Sequence, residues 1–569
     1  MTWPWLCQLL PTIALSHHDT TVPPGLTIFR ILCYIPHVPI SMSRFAPFRI
    51  LHQAFAPRIG EVTQRRTTGL SSAGSKVKPL NILFCTPEAV PFSKTGGLGD
   101  VAGALPGALS RLGHSVRVIT PLYSSINREK FGIRERIPNF PVRLGGRTEQ
   151  GTLYEGVFPG TGVPVYFIGH KKYYSREGFY HEGGKDYPDN LERFAFFSKA
   201  VLDVLPSLGW KPHVLHANDW QTALIPVYLK TLFRETDFYR GIGTLFTLHN
   251  LGYQGLFDRG DLPFTGLGWD LFTLDGLEYY GLGNLLKGGI LFADVITTVS
   301  PTYSREIRTA EYGFGLEGVL LRREGDLFGV LNGMDKEEWD PAKDPLIWRR
   351  YSAESPAGKK GCKRALQREC GLPEADVPLA AVISRLDRQK GFDLILEILE
   401  ELMQTDLQMV VLGTGEPEIQ KRLQAFSEKY PDRLAVHFLF DNALAHRIEA
   451  GADLFLMPSR YEPCGLNQLY SLKYGTLPVA RRTGGLADTI TDFTPSTARS
   501  GTATGFLFEH YSAMDLLKAL MLALRTFEDR KLWRGMMAAA MGSDFSWGRS
   551  ARTYVELYRK ITQKGRRTQ

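Results

Sequence analysis

The chain uses cysteine sparingly, with six in 569 residues, and none of them lie at the spacing of a metal site or a disulfide framework. The closest pair, Cys362 and Cys370, is separated by seven residues. This usage is typical of a protein from a reducing compartment. The sequence also lacks an HExxH motif and a DxD-type acidic cluster, so we expect neither a metal ion nor another cofactor.

Long hydrophobic runs are absent from the start of the chain. The apolar stretches of residues 1–78 are interrupted by Pro11, Pro23, Pro24 and Arg30, which leaves each of them shorter than the ~18 residues that span a membrane. We therefore predict no membrane segment, and we interpret residues 1–78 as a basic, disordered N-terminal extension. An organelle transit peptide and a mis-assigned start upstream of the protein are the alternatives.

Positive charge is concentrated in that extension. It contains eight Lys and Arg residues against two acidic ones, which accounts for +6 of the formal net charge of +8. The rest of the chain is nearly neutral, so its charge does not indicate a nucleic-acid partner.

From Leu80 onward, short β-rich runs alternate with amphipathic helices, which is typical of parallel α/β sheets. The runs form two groups of six, as expected of two doubly wound, Rossmann-like domains. We predict an N-terminal domain over residues 79–325, a C-terminal domain over 326–546, and a closing helix with a tail over 547–569. The predicted strands are Ile82–Cys85, Val116–Ile119, Val165–Ile168, Val214–His216, Thr244–Thr247, Val295–Val299, Leu379–Ile383, Gln408–Leu412, Ala435–Phe438, Leu454–Met457, Leu477–Ala480 and Gly505–Phe508.

Residues 453–468 form the most informative stretch, because an apolar strand there leads into a loop that carries Glu462 between two prolines. In open α/β sheets such a position faces the crevice beyond the strand ends, where ligands bind. Residues 92–100 repeat the strand–loop–helix arrangement over 350 positions earlier. We therefore expect the two loops to face one cleft between the domains.

Glycines and basic residues in these loops indicate an anionic ligand. Gly96 and Gly97 let a ligand approach the backbone at the start of a helix, and Lys94 adds a positive charge. In the second domain, Arg385 and Lys390 follow a strand five positions apart and could neutralise a diphosphate. A tight turn with a solvated lysine and an exposed basic loop are the respective alternatives.

Other loops offer polar groups with less specificity. The segment 482–488 repeats the double-glycine pattern and offers the amides of Gly484 and Gly485 to the same phosphates. His216 and Asn250 lie at strand ends and suit sugar hydroxyls, although a histidine buried in the core is the alternative for His216. Cys464 is expected to be a small buried residue rather than a nucleophile.

Taken together, these motifs resemble the family of bacterial glycogen synthases and plant starch synthases, glycosyltransferase family 5, from about Asn81 to Leu557. Members of family 4 usually carry a second glutamate eight positions after the first, where this chain has Tyr470. The motifs that carry the resemblance are Lys94-Thr-Gly-Gly-Leu, Asp189-Asn-Leu-Glu-Arg-Phe, His216-Ala-Asn-Asp-Trp, Thr247-Leu-His-Asn, Asn332-Gly, Ser384-Arg-Leu-x-x-Gln-Lys-Gly, Pro458-Ser-Arg-Tyr-Glu-Pro-Cys-Gly-Leu and Arg482-Thr-Gly-Gly-Leu.

The resemblance implies a GT-B fold and the metal-free, retaining transfer of glucose from ADP-glucose to the non-reducing end of an α-1,4-glucan such as glycogen. The catalytic residues that it implies are Glu462 on the glucose hydroxyls, Arg385 and Lys390 on the departing diphosphate, His216 on the transferred glucose and Asp189 on the acceptor side. The substrate-binding residues that it implies are Lys94, Gly96, Gly97, Asn250, Cys464, Gly465, Thr483, Gly484 and Gly485.

Two other classes of function stay open at this stage. One is a different GT-B enzyme, either another nucleotide-sugar transferase or a phosphorylase-type enzyme, and the other is a catalytically silent glucan-binding scaffold. The body of the chain lacks plant-specific extensions, so the resemblance favours the bacterial cytoplasm, with the plastid as the alternative if residues 1–78 are a transit peptide. The sequence carries no signal for the oligomeric state.

Overall fold

The computed structural model describes residues 78–567. The extension predicted over residues 1–78 therefore lies, apart from Lys78, outside the described residues. The remainder builds two large sheets, one from each half of the chain, and two small sheets of three and two strands.

The first sheet has nine strands in the order β14-β13-β9-β8-β1-β2-β5-β4-β3, parallel except for the antiparallel pairings of β3 and β4 at one edge. All six strands predicted for this half are present in it, as β1, β2, β5, β8, β9 and β13. The strands of this half, including short ones outside the main sheet, are β1 Asn81–Cys85, β2 Ser115–Pro121, β3 Arg134–Leu144, β4 Arg147–Val157, β5 Pro164–Gly169, β6 His181–Glu182, β7 Lys185–Asp186, β8 Val214–Asn218, β9 Gly243–Leu248, β10 Leu256–Phe257, β11 Glu278–Tyr279, β12 Leu282–Asn284, β13 Val295–Thr298 and β14 Leu327–Gly329.

The sequence did not indicate the hairpin of β3 and β4. Strand β3 contains two prolines and is largely exposed, since it lies at the sheet edge, where proline is tolerated. Strand β14 pairs with β13, so the first sheet continues to Gly329, just beyond the domain boundary predicted at residue 325. The α-helices of this half are α1 Gly97–Arg111, α2 Lys171–Tyr174, α3 Asn190–Val204, α4 Leu224–Lys230, α5 Leu285–Phe292, α6 Pro301–Glu306 and α7 Glu317–Arg322.

The second sheet has six parallel strands in the order β17-β16-β15-β18-β19-β20, and every one of them was predicted. Its central strands are buried apolar runs, as in a sheet covered on both faces. The strands are β15 Leu379–Ile383, β16 Gln408–Leu412, β17 Leu434–His437, β18 Leu454–Met457, β19 Leu477–Arg481 and β20 Phe506–Phe508; the helices are α8 Ala357–Glu369, α9 Phe392–Met403, α10 Pro417–Lys429, α11 Asn442–Gly451, α12 Asn467–Tyr474, α13 Gly484–Thr489, α14 Pro495–Ser500, α15 Ala513–Glu528, α16 Arg530–Met541 and α17 Trp547–Arg567.

The last helix, α17, returns to the first half, where it packs against α1, β8 and β9. Tyr554, Tyr558 and Ile561 are buried on one face of it, at the spacing of successive helical turns. Helix α17, Trp547–Arg567, lies within the range predicted for a closing helix and connects the end of the chain to the first sheet.

Candidate active site

The loops within residues 92–100 and 453–468, which were predicted to face one cleft, lie close to each other. The loop between β1 and α1 brings Gly97 beside the side chain of Leu466, immediately before α12. On the same side, Phe314 of the first half packs its ring edge-on against Tyr461 of the second, with ring centroids 5.4 Å apart. The carboxyl ends of the two sheets thus enclose one cleft, as expected where ligands bind in α/β sheets.

Lys390 and Glu462 form the centre of the group of side chains that the second half places at the cleft. The Lys390 ammonium donates to Glu462 Oε2 over 2.7 Å, and Ser459 Oγ donates to the same oxygen over 2.9 Å. Asp387 accepts a bond from the Lys390 backbone N–H, which fixes the short turn that presents the lysine. Because Glu462 is only 5% exposed, this ion pair is sheltered from the screening that weakens surface pairs.

Arg385 lies in the same loop with its guanidinium at the cleft. It is 3.1 Å from Asp387 and donates to Gln389 over 3.2 Å. Burial lowers the pKa of Arg385, but Asp387 and a hydrogen bond to Tyr253 of the first half outweigh it, so the pKa lies above its ordinary value. Arg385 therefore keeps its positive charge and contacts both halves of the molecule.

The Lys94 loop is organised by a residue that the sequence analysis missed, Glu88. Its buried carboxylate accepts hydrogen bonds from the Thr95 amide, from Thr95 Oγ1 at 2.8 Å, and from Tyr180 at 3.2 Å. Burial raises the pKa of Glu88. Lys94 itself is half-exposed and pairs with Asp100 at 2.8 Å. An acidic residue in the loop that follows the buried strand β1 was the signal that could have identified Glu88.

The amides of Gly484 and Gly485, which were predicted to bind the phosphates, have protein partners in this structure. The Gly484 N–H donates to both carboxylate oxygens of Glu306 in the first half, at 3.1 and 3.0 Å, and Thr483 Oγ1 donates to the same carboxylate at 3.0 Å. The Gly485 N–H donates to the carbonyl of Glu462 over 3.1 Å. In these contacts the residues join the halves and support the Glu462 loop.

The structure contradicts the assignment of His216 to the transferred glucose. Its side chain is 0% exposed, and its ring nitrogens bond to Tyr558 and Thr247, each at 2.7 Å. Burial holds the pKa of His216 well below its ordinary value. His216 is thus a neutral core histidine that joins α17 to the sheet.

Asp219, three positions later, was also missed. Its carboxylate accepts a 2.7 Å bond from the His249 amide, and the Asn250 amide contributes a second hydrogen bond. Burial raises the pKa of Asp219 to about 7. Asn250 in turn hydrogen-bonds Tyr461 across the cleft, so Asp219 fixes a strand end that faces the second half.

The remaining predicted residues have protein partners. Asp189 precedes α3 and receives two bonds from Arg176, at 2.7 and 2.5 Å; burial raises its pKa, but this pairing lowers it below the usual range. Cys464 is buried as predicted, and burial raises its pKa to about 12. Gly465 has a φ of 70°, and a Cβ there would lie 2.3 Å from Gln468 Oε1, so the turn after Glu462 requires glycine.

Within residues 78–567, no three His, Cys, Asp or Glu side chains are grouped as they would be around a metal ion. No helix in residues 78–567 has both the length and the apolar character needed to cross a membrane.

Comparisons with known proteins cover most of the chain. A family model described as the starch synthase catalytic domain matches residues 81–322, and one described as glycosyl transferases group 1 matches residues 364–534. A glycogen synthase from Anaeromyxobacter sp. (strain Fw109-5) is 49% identical over 486 residues, covering 85% of this chain and 99% of the relative. A glycogen synthase from Koribacter versatilis is 47% identical over 484 residues, which cover 85% of this chain and 99% of that relative.

Solved structures give the same picture. The catalytic domain of starch synthase IV from Arabidopsis thaliana, bound to ADP and acarbose, matches with a TM-score of 0.78 and 34% identity over 85% of this chain and all of that chain. A sucrose-phosphate synthase from Thermosynechococcus elongatus, at a TM-score of 0.51 and 17% identity over 85% of this chain and all of that chain, shares the fold alone.

Proposed function

The chain belongs to the glycogen and starch synthase family and is a glycosyltransferase of the GT-B fold, and we propose that it transfers glucose from ADP-glucose to the non-reducing 4-hydroxyl of an α-1,4-glucan with retention of configuration. The observation that carries this proposal is the cluster of Lys390, Arg385 and Glu462 at the cleft. The similar starch synthase was solved with ADP and acarbose, a nucleotide and a glucan-like inhibitor, which supports both substrate classes.

Negative charge develops on the diphosphate as it leaves the sugar, so fixed cations at that position lower the barrier. Arg385 can bind two phosphate oxygens at once, and Lys390 acts as a point charge. Lys390 is already held at 2.7 Å from Glu462. It can therefore meet the diphosphate without prior reorganisation, and no metal is needed in this account.

Glu462 would orient the transferred glucose. Both of its hydrogen bonds, from Lys390 and Ser459, fall on Oε2, so Oε1 is the oxygen that can accept from a glucose hydroxyl. The Gly485 amide donates a hydrogen bond to the backbone carbonyl of Glu462. This bond holds the residue, and with it the carboxylate, in place. Asp189 and Asn250 would line the acceptor side, and Lys94 with Gly96 and Gly97 would contact the nucleotide sugar from the first half.

Donor specificity separates this proposal from a phosphorylase. We expect glucose incorporation into glycogen with ADP-glucose and none with glucose 1-phosphate alone, and we expect the new linkage to be α by NMR. Incorporation from glucose 1-phosphate would favour a phosphorylase-type enzyme, and glucan binding without turnover of any donor would indicate a silent scaffold. We further propose the bacterial cytoplasm as its location, which the bacterial relatives support.

A further inference from the structure

A surface tyrosine occupies a position that disfavours tyrosine. Strands β11 and β12 pair with Tyr279 opposite Leu282, so Tyr280 and Gly281 form a two-residue turn. Both have positive φ, 51° and 85°, a conformation for which such turns select asparagine, aspartate or glycine. Tyr280 is 80% exposed, and its ring meets only the edge of the Tyr279 ring among the aromatic contacts of the described residues. Packing therefore does not explain this residue.

A second aromatic residue in the same neighbourhood has a strained backbone. Phe314 has a φ of 47° and is 38% exposed. Its carbonyl accepts hydrogen bonds from Tyr279 Oη at 2.6 Å and from Gln254 Nε2 at 3.1 Å. Bulky residues rarely adopt this conformation, and it persists only where the surroundings fix it. Tyr279 thus fixes the backbone of Phe314 through this hydrogen bond, and its ring also packs against the ring of Tyr280.

These aromatic residues are continuous with the cleft. The Phe314 ring packs edge-on against Tyr461, which directly precedes Glu462. Tyr461 also hydrogen-bonds Asn250. The ring contacts Tyr280–Tyr279 and Phe314–Tyr461 are therefore linked through the hydrogen bond from Tyr279 Oη to the Phe314 backbone carbonyl.

We propose that Phe314 and Tyr280 form an aromatic platform that binds the α-1,4-glucan acceptor as it leaves the cleft. The faces of a glucose ring are rows of C–H groups and its rim is hydroxylated, so a flat ring with a polar tip suits it well. Tyr280 is 80% exposed and Phe314 is 38% exposed, so a sugar can reach both residues. The proposal rests on the proposed function, since it names the acceptor path of the same site.

The variant Tyr280→Asn separates binding from folding. Asparagine is favoured at this turn position, so the melting temperature should not fall. Losing the ring should raise the KM for maltoheptaose about tenfold, in line with the loss of one aromatic contact, and should leave the KM for ADP-glucose within about twofold. A purely structural role for Tyr280 would not produce this split.

Phe314→Asn tests the second contact, because asparagine tolerates the same φ, and it should have the same effect on the KM for maltoheptaose. Trp348→Ala is the control, since Trp348 has a similar exposure of 37% and contacts Arg447 instead. An unchanged KM for maltoheptaose in both variants would overturn the platform.

Equilibrium binding of maltoheptaose without donor, measured by calorimetry, distinguishes the two proposals. If the protein binds it through these residues but transfers no glucose, the proposed function fails and the platform stands. If it transfers glucose while the variants bind like the wild type, the platform fails and the function stands. Absence of both binding and transfer in a folded protein would overturn both.

Discussion

Glu306 and Asp488 lie near the ends of two short helices from opposite halves, and each carboxylate accepts hydrogen bonds from the start of the other helix. Asp488 accepts from Ser300 Oγ at 2.6 Å, from the Thr302 amide at 2.8 Å and from Thr302 Oγ1 at 2.7 Å. Glu306 accepts from the Gly484 amide and from Thr483. This exchange joins α6 to α13, directly behind the loop that carries Glu462.

Replacing Asp488 by alanine should loosen this junction. The change removes three hydrogen bonds to a carboxylate and leaves buried donors without partners, which costs about 1–3 kcal/mol of unfolding free energy. Differential scanning calorimetry should show a lower melting temperature, and turnover should fall because the two halves are held less firmly. Asp237→Ala is the control, since its pair with Arg240 is exposed and contributes little. Equal melting temperatures for the two variants would contradict the role given to Asp488.

Replacing Lys390 by alanine should remove most of the turnover while the fold remains. Losing one preorganised donor on the leaving group commonly costs about 10²–10³ in rate. Steady-state kinetics with ADP-glucose measure this directly, and circular dichroism checks the fold. Lys336→Ala, which breaks an exposed pair with Asp544, should keep wild-type turnover. Near-wild-type activity in Lys390→Ala would remove Lys390 from the diphosphate site.

Asp219 should make stability depend on pH. Burial raises its folded-state pKa from 3.8 to about 7; the native protein therefore binds a proton that the unfolded chain has lost, and its contribution to stability declines as pH rises through this window. Asp219→Asn cannot ionise and should lack the decline. The melting temperature of the variant minus that of the wild type should increase between about pH 4 and pH 8. A constant difference would show that Asp219 does not titrate there.

The sequence predicts best what depends on local patterns. Leu379–Ile383 and Leu454–Met457 are uninterrupted apolar runs, so their bounds agree with β15 and β18 to the residue. Lys390 and Glu462 could be assigned to one site because each follows a parallel strand of the same sheet, and the carboxyl ends of such strands share one edge.

Partners distant in sequence could not be predicted in this way. His216 meets Tyr558, 342 positions away, and Gly484 meets Glu306, 178 positions away. Nothing in the local pattern distinguishes a glycine amide that binds a phosphate from one that binds a carboxylate of the other half. The strained backbone conformations of Tyr280 and Phe314 could not be predicted either, because only the backbone angles of the structure show them.

The central claim is tested most directly by the transfer of labelled glucose onto glycogen, with ADP-glucose and UDP-glucose compared side by side and without added metal. We predict strong incorporation from ADP-glucose, well above that from UDP-glucose. No incorporation from either donor by the folded protein would contradict the account.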